Sequence, residues 1–200
     1  MVSNSSRIAI IGTSYVGLTT GACFAHLGHQ VVCADIDEEK VARLNRGEVP
    51  ILEAGLDDLV GEGLRSGLLS FVVGAASAAA DCDFAYLCVQ TPQGPDGSAD
   101  LTYIEEATRQ IGPVLPTEAI VVNKSTVPVG STRVVEQVLQ RSDVAVVSNP
   151  EFLREGSAVH DFLHPDRIVI GAEDQAAAIR VASLYITLAA PLVVTDPASA

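Results

Sequence analysis

A glycine turn and one carboxylate carry the first chemical signal. Gly12-Thr13-Ser14-Tyr15-Val16-Gly17 lies between a short β-branched run and a stretch with helical spacing of apolar residues. In a dinucleotide-binding turn, G-x-G-x-x-G, the first glycine makes the bend and the second lets the backbone approach a pyrophosphate. The third lets the helix pack on the strand. Gly12 and Gly17 fill the outer positions, and Ser14 stands at the middle one. A serine adds a Cβ at the point of closest approach. Its hydroxyl could donate to a phosphate oxygen, or its bulk could abolish tight binding, and both readings stay open. Asp35 ends the next apolar run, 23 residues after Gly12, where a carboxylate can accept from an adenosine ribose hydroxyl. Its charge repels a 2′-phosphate, which favours NAD over NADP. The bland alternative is a tight turn with no ligand. Strand, helix and acidic partner together favour the nucleotide.

Thr91, Ser125-Thr126 and Glu151 each follow a predicted strand by a few residues. Ligands of open parallel sheets bind beyond the carboxyl ends of the strands, so these residues converge on one edge. A threonine hydroxyl can position a water, and a shielded carboxylate can become a useful base. Against this, Glu151 and Glu155 also suit a solvated loop beside a helix N-terminus. Other chemistry-bearing patterns carry less. Cys23 falls in a helix, Cys33 and Cys88 in strands, and Cys82 between two aspartates that would raise its pKa. None reads as a nucleophile, and no spacing suggests a disulfide framework. His160-Asp-Phe-Leu-His164 imitates a zinc helix, but Pro165 pushes His164 out of helical geometry and Asp161 is too short to replace glutamate. No metal is expected. Lys124-Ser125-Thr126 ends like a P-loop without its upstream glycine.

These residues need strands to hold them. Apolar runs at 7–11, 30–34, 71–73, 84–89, 119–122, 144–147, 168–170 and 192–194 read as strands. Helical spacing occupies 16–27, 37–44, 56–64, 103–111, 132–140 and 176–188. Thr91 to Asp100 is a loop dense in glycine, proline and aspartate. Strands alternating with helices imply an α/β fold of the Rossmann type: a doubly wound, mostly parallel sheet with helices on both faces. A (β/α)8 barrel would need eight regular units and about 250 residues.

Two hundred residues, 48% of them hydrophobic, suit one well-packed domain and exclude bulk disorder. A net charge of −13 opposes binding to nucleic acid or anionic membrane surfaces. The polar start MVSNSSR argues against a signal peptide. With four thiols read as reduced and buried, a cytoplasmic location is expected.

Longer strings carry a resemblance. GTSYVGL, Thr91-Pro92 after LCVQ, NKSTVPVGST, and SNPEFLREGSAVHDFLHPDRIVIG resemble the UDP-glucose/GDP-mannose dehydrogenases from about Arg7 onward. The last string looks more like the members acting on UDP-glucose. The resemblance implies two NAD-dependent oxidations of a sugar C6 alcohol to a carboxylate, through an enzyme-bound thiohemiacetal and thioester. It assigns Gly12 to Gly17, Asp35 and Lys40 to the adenosine and pyrophosphate. Thr91, Pro92, Ser125, Thr126 and Glu155 would line the nicotinamide crevice. Thr126 and Glu151 would contribute to the chemistry, Glu151 by assisting proton transfer or water activation, and Glu151, Phe152, Leu153, Arg154 and Glu155 would touch the sugar nucleotide. The family's nucleophilic cysteine, central dimer-forming helix and sugar-binding domain would lie past Ala200. The 200 residues are therefore expected to be the cofactor domain, inactive alone, and monomeric or weakly self-associating. A non-catalytic dinucleotide-binding module, another nucleotide sugar such as GDP-mannose, and a degenerate domain spoiled by Ser14 are the alternatives. Ala54 departs from the family's usual proline.

Overall fold

The computed structural model describes residues 5–94 and 97–200. The readings made for residues 1–4, and for 95–96 within the polar loop, lie outside the described residues. Eight strands form one sheet in the order β3-β2-β1-β4-β5-β6-β7-β8. They are β1 (Arg7–Ile11), β2 (Gln30–Asp35), β3 (Leu69–Val73), β4 (Phe84–Leu87), β5 (Ile120–Asn123), β6 (Ala145–Ser148), β7 (Ile168–Ala172) and β8 (Leu192–Thr195). The first six are parallel, with the order reversing between β1 and β4. β7 joins β6 antiparallel and carries β8 parallel to itself, so the mostly parallel expectation holds.

Alternation along the strands builds the two cores. Ile8, Ile10, Val31, Cys33, Phe84 and Tyr86 face one side and Ala9, Ile11, Ala34, Ala85 and Leu87 the other, because strand side chains alternate. The first side is covered by α1 (Tyr15–His26), α2 (Glu38–Asn45), α3 (Leu56–Ser66), α7 (Ala158–Leu163) and α8 (Gln175–Ser183). The second is covered by α4 (Ala75–Ala79), α5 (Thr102–Ile111) and α6 (Ser131–Leu139). Two of these were not read from the sequence. α4 is five residues of alanine and serine with no polar face to reveal a period, and α7 is six residues ending at Leu163. β4 stops at Leu87 rather than 89, and α8 at Ser183 rather than 188, where Leu184 N and Tyr185 N bond to the carbonyls three residues back, at Val181 and Ala182. Among the described residues no helix is long and apolar enough to cross a membrane.

Candidate functional site

The turn after β1 is shaped by what surrounds it. Gly12 has φ +100°, and a Cβ there would lie 2.7 Å from the Cys88 carbonyl oxygen. A Cβ on Gly17 would lie 1.9 Å from the Gly12 oxygen, so α1 sits on the turn at a distance only glycine permits. The backbone conformation at Ser14 does not require glycine. Its backbone has φ −67°, and its hydroxyl lies 3.3 Å from the Cys88 oxygen. Ser14 is the N-cap of α1 yet makes no side-chain capping bond. The first N–H groups of the helix are therefore left for an outside acceptor, as at anion-binding helix starts.

Asp35 stands beside this turn at the end of β2. Its Oδ2 accepts from the Thr13 hydroxyl, from Thr13 N at 3.2 Å and from Lys40 Nζ at 2.8 Å, and its Oδ1 from Asp37 N at 3.2 Å. Burial alone would raise its pKa. The bonds from Lys40, Thr13 and Asp37 outweigh burial and hold the carboxyl at about 2. Lys40, expected to face the cofactor, is thus the ion-pair partner of Asp35. A cavity of about 480 Å³ opens above the β1–β4 reversal, lined by Gly12, Thr13, Ser14, Asp35, Lys40 and Tyr103 among others. That is where an open α/β sheet binds its ligand. The close-packed glycines, the uncapped helix start and the ionised Asp35 fit a dinucleotide.

The further site residues fall along the same edge. Thr91 donates to the Thr126 carbonyl at 2.8 Å, joining the loops after β4 and β5, and Pro92 beside it is exposed. Thr126 is exposed, whereas Ser125 is buried and spends its hydroxyl on Val89 O at 2.7 Å and Leu87 O at 3.2 Å. Ser125 ties β5 to β4 and presents no free hydroxyl. Beyond β6, buried Asn149 anchors the next loop. Its amide donates to Val169 O at 2.8 Å and its oxygen accepts from the Tyr185 hydroxyl at 2.6 Å. Glu151 is half-buried, and its Oε2 accepts from Leu153 N at 2.7 Å. Phe152 is exposed beneath Arg167, whose guanidinium lies 5.0 Å from the ring centre. Arg154 is not free: its guanidinium pairs with Asp161 at 2.6 and 3.0 Å. Glu155 is exposed. Phe152, Leu153 and Arg154 border a second cavity, of about 370 Å³, with Lys124, His160, His164 and Arg167.

The sequence reading missed Glu53 and gave Lys124 no role. Glu53 is buried at 6% exposure. It accepts from the Tyr15 hydroxyl, from Gly156 N at 2.7 Å and from Ala158 N at 2.9 Å. Burial would raise its pKa, but Tyr15 and these N–H groups hold it below the usual carboxylate range. Burial and the neighbouring Glu53 push the Tyr15 phenol up to about 12. Lys124 is 5% exposed with no carboxylate within 4.0 Å among the described residues, and burial lowers its pKa. Burial raises all four thiols, to about 12 at Cys23, Cys82 and Cys88, which leaves no ready nucleophile. His160 and His164 stack at 4.8 Å, but His164 lies beyond the end of α7, and no cluster of three or more His, Cys, Asp or Glu side chains able to hold a metal ion occurs among the described residues.

A glycine turn, an acidic strand end and a reversal of strand order define a dinucleotide-binding domain. The family profile "UDP-glucose/GDP-mannose dehydrogenase family, NAD binding domain" matches residues 6–189, and the chain belongs to that family, whose cofactor is NAD. UDP-glucose 6-dehydrogenase of Pseudomonas aeruginosa is 46% identical over 187 residues, 90% of this chain and 41% of that protein. UDP-glucose 6-dehydrogenase TuaD of Bacillus subtilis is 45% identical over 199 residues, 97% of this chain and 43% of that protein. A solved UDP-glucose dehydrogenase from Pyrobaculum islandicum superposes with a TM-score of 0.95 at 42% identity, covering 99% of this chain and 48% of that one. The chain spans less than half the length of these relatives.

Proposed function

We propose that these 200 residues form one NAD-binding domain and serve the oxidation of UDP-glucose at C6 to UDP-glucuronate. The observation that carries this reading is the ionised Asp35 beside the uncapped start of α1, over a turn that only glycine can close. Gly12 to Gly17 would receive the pyrophosphate on backbone N–H groups and Asp35 a ribose hydroxyl. Lys40 acts through Asp35, and Ser125 through the β4–β5 edge that carries Thr126. Bound NAD supplies the hydride acceptor. Thr91, Pro92, Thr126 and Glu155 would border its nicotinamide, and Glu151, steadied by Leu153 N, would take up or direct a proton. Phe152 and Leu153 would meet the sugar nucleotide, with Arg154 holding their loop through Asp161. Identities of 45–46% to UDP-glucose 6-dehydrogenases support UDP-glucose over other nucleotide sugars.

The covalent step of the resembling enzymes needs an accessible thiolate, and the four thiols here are buried and raised. The chain with NAD and UDP-glucose should therefore give no sustained NADH, and sustained NADH would overturn that part of the reading. Joined to the second half of the Pseudomonas aeruginosa relative, it should oxidise UDP-glucose and leave GDP-mannose untouched. A hybrid that folds, binds NAD and oxidises neither sugar would contradict the assignment. A cytoplasmic setting accords with four unpaired cysteines, and a monomer or weak self-association is expected on sizing columns.

A further inference from the structure

Between Leu52 and Ala54 the chain does the reverse of what hydrophobicity favours. Leu52 is 100% exposed, and Glu53 beside it is 6% exposed. Turning an apolar side chain outward to bury a carboxylate is unfavourable unless the carboxylate is fully bonded. Glu53 is fully bonded, and to two places far apart in sequence. One is the Tyr15 hydroxyl, at the first position of α1 in the cofactor turn. The other is the loop after β6, through the N–H groups of Gly156 at 2.7 Å and Ala158 at 2.9 Å. Tyr15 closes the triangle: its hydroxyl lies 3.0 Å from the Arg154 carbonyl and accepts from Gly156 N at 3.0 Å. Gly156 has φ +90°, which lets this loop bend back toward the pair.

We propose that Glu53, acting with Tyr15, is a positioning residue that ties the cofactor turn to the 151–158 loop, so that binding a dinucleotide orders the segment bearing Glu151. The inference rests on the reading above that the turn receives the pyrophosphate. Tyr15 would then have two tasks. Its backbone N–H belongs to the first turn of α1, which meets the phosphate, and its phenol holds the loop. A phosphate that steadies one steadies the other, and by linkage an ordered loop favours the dinucleotide.

The test is hydrogen exchange of the amides from Leu153 to Ala158, with and without saturating NAD, in the unchanged chain, Tyr15→Phe and Glu53→Gln. Tyr15→Phe keeps the ring packing and leaves Glu53 its backbone donors. A hydrogen bond to a charged group corresponds to roughly a tenfold change or more. NAD should therefore slow exchange at Gly156 and Ala158 about tenfold in the unchanged chain and by less than about twofold in either variant. A purely structural role would lower the melting temperature of the variants yet leave the NAD-dependent slowing intact, and that result overturns the proposal. If Tyr15→Phe loses NAD binding, Glu53→Gln decides, because it leaves the turn's own residues in place. Calorimetry on the same samples separates loss of NAD binding from loss of loop ordering. NAD binding without any slowing in the unchanged chain defeats this inference alone, and absence of NAD binding defeats the cofactor reading with it.

Discussion

Replacing Asp35 with asparagine keeps the size of the side chain and removes its charge. The loss has two parts. For folding, the Asp35 carboxyl falls from 3.8 to about 2 because Lys40, Thr13 and Asp37 outweigh its burial. At about 1.4 kcal/mol for each pH unit this amounts to about 2 kcal/mol. Solvent screening around Lys40, whose side chain is 26% exposed, reduces it to about 1–2 kcal/mol. A depressed carboxylate stabilises fully above its unfolded value, so the variant should be less stable at neutral pH. The difference should shrink as pH falls from 3.8 through about 2. For binding, a ribose hydroxyl would lose a charged acceptor, about 1.5–3 kcal/mol, or roughly 10- to 150-fold in the dissociation constant for NAD. The preference for NAD over NADP should narrow as well, since the charge that repels a 2′-phosphate is gone. Calorimetric titrations with both dinucleotides, and urea unfolding followed by circular dichroism, read both parts. A folded variant that binds NAD within about threefold of the unchanged chain, a difference of ~0.6 kcal/mol, would refute the placement of the adenosine ribose at Asp35.

Two further predictions concern buried bases. His29 accepts from Ser6 N at 3.2 Å on Nδ1 and reaches the Leu184 carbonyl at 3.2 Å with Nε2, so the buried ring is held neutral and burial lowers its pKa. Because the unfolded chain takes up this proton first, stability should decline as pH drops below 6.5. The part of the decline that begins at 6.5, before the carboxylates titrate, should vanish in His29→Gln, and an unchanged pH profile in that variant would rule His29 out. Lys124→Met removes a buried ammonium that has no ion pair among the described residues, and should raise stability at neutral pH by ~1–3 kcal/mol. As pH climbs toward 10.5 the unchanged chain sheds this proton and the gap should close. A destabilised Lys124→Met in urea titrations would show that the ammonium is well paired.

The strands and the cofactor turn were legible because their signals are local. A buried parallel strand is an unbroken apolar run, and a glycine forced by a neighbouring carbonyl keeps its place in the chain. Asp35 was legible for the same reason: it ends a strand next to the turn. The rest depends on partners distant in sequence. Glu53 sits 103 positions from the Gly156 N–H it accepts, and nothing around Glu53 distinguishes it from an exposed acid. Arg154 reads as a free cation until Asp161 is seen to hold it, and Ser125 as a free hydroxyl until the Leu87 and Val89 carbonyls take it. The antiparallel turn of β7 against β6 was equally hidden, because strand direction is set by the path of the intervening loop. Ser14 is the instructive case: its φ of −67° asks for no glycine, so what the pattern's middle position decides is the space left for a phosphate, which the sequence could not measure.

Whether the crevice over the β1–β4 reversal holds NAD is read by a calorimetric titration of the purified chain. The expected result is saturable binding of one NAD per chain, carried by the backbone of the Gly12–Gly17 turn and by Asp35. A chain that is folded by circular dichroism and gives no saturable heat with NAD would contradict it.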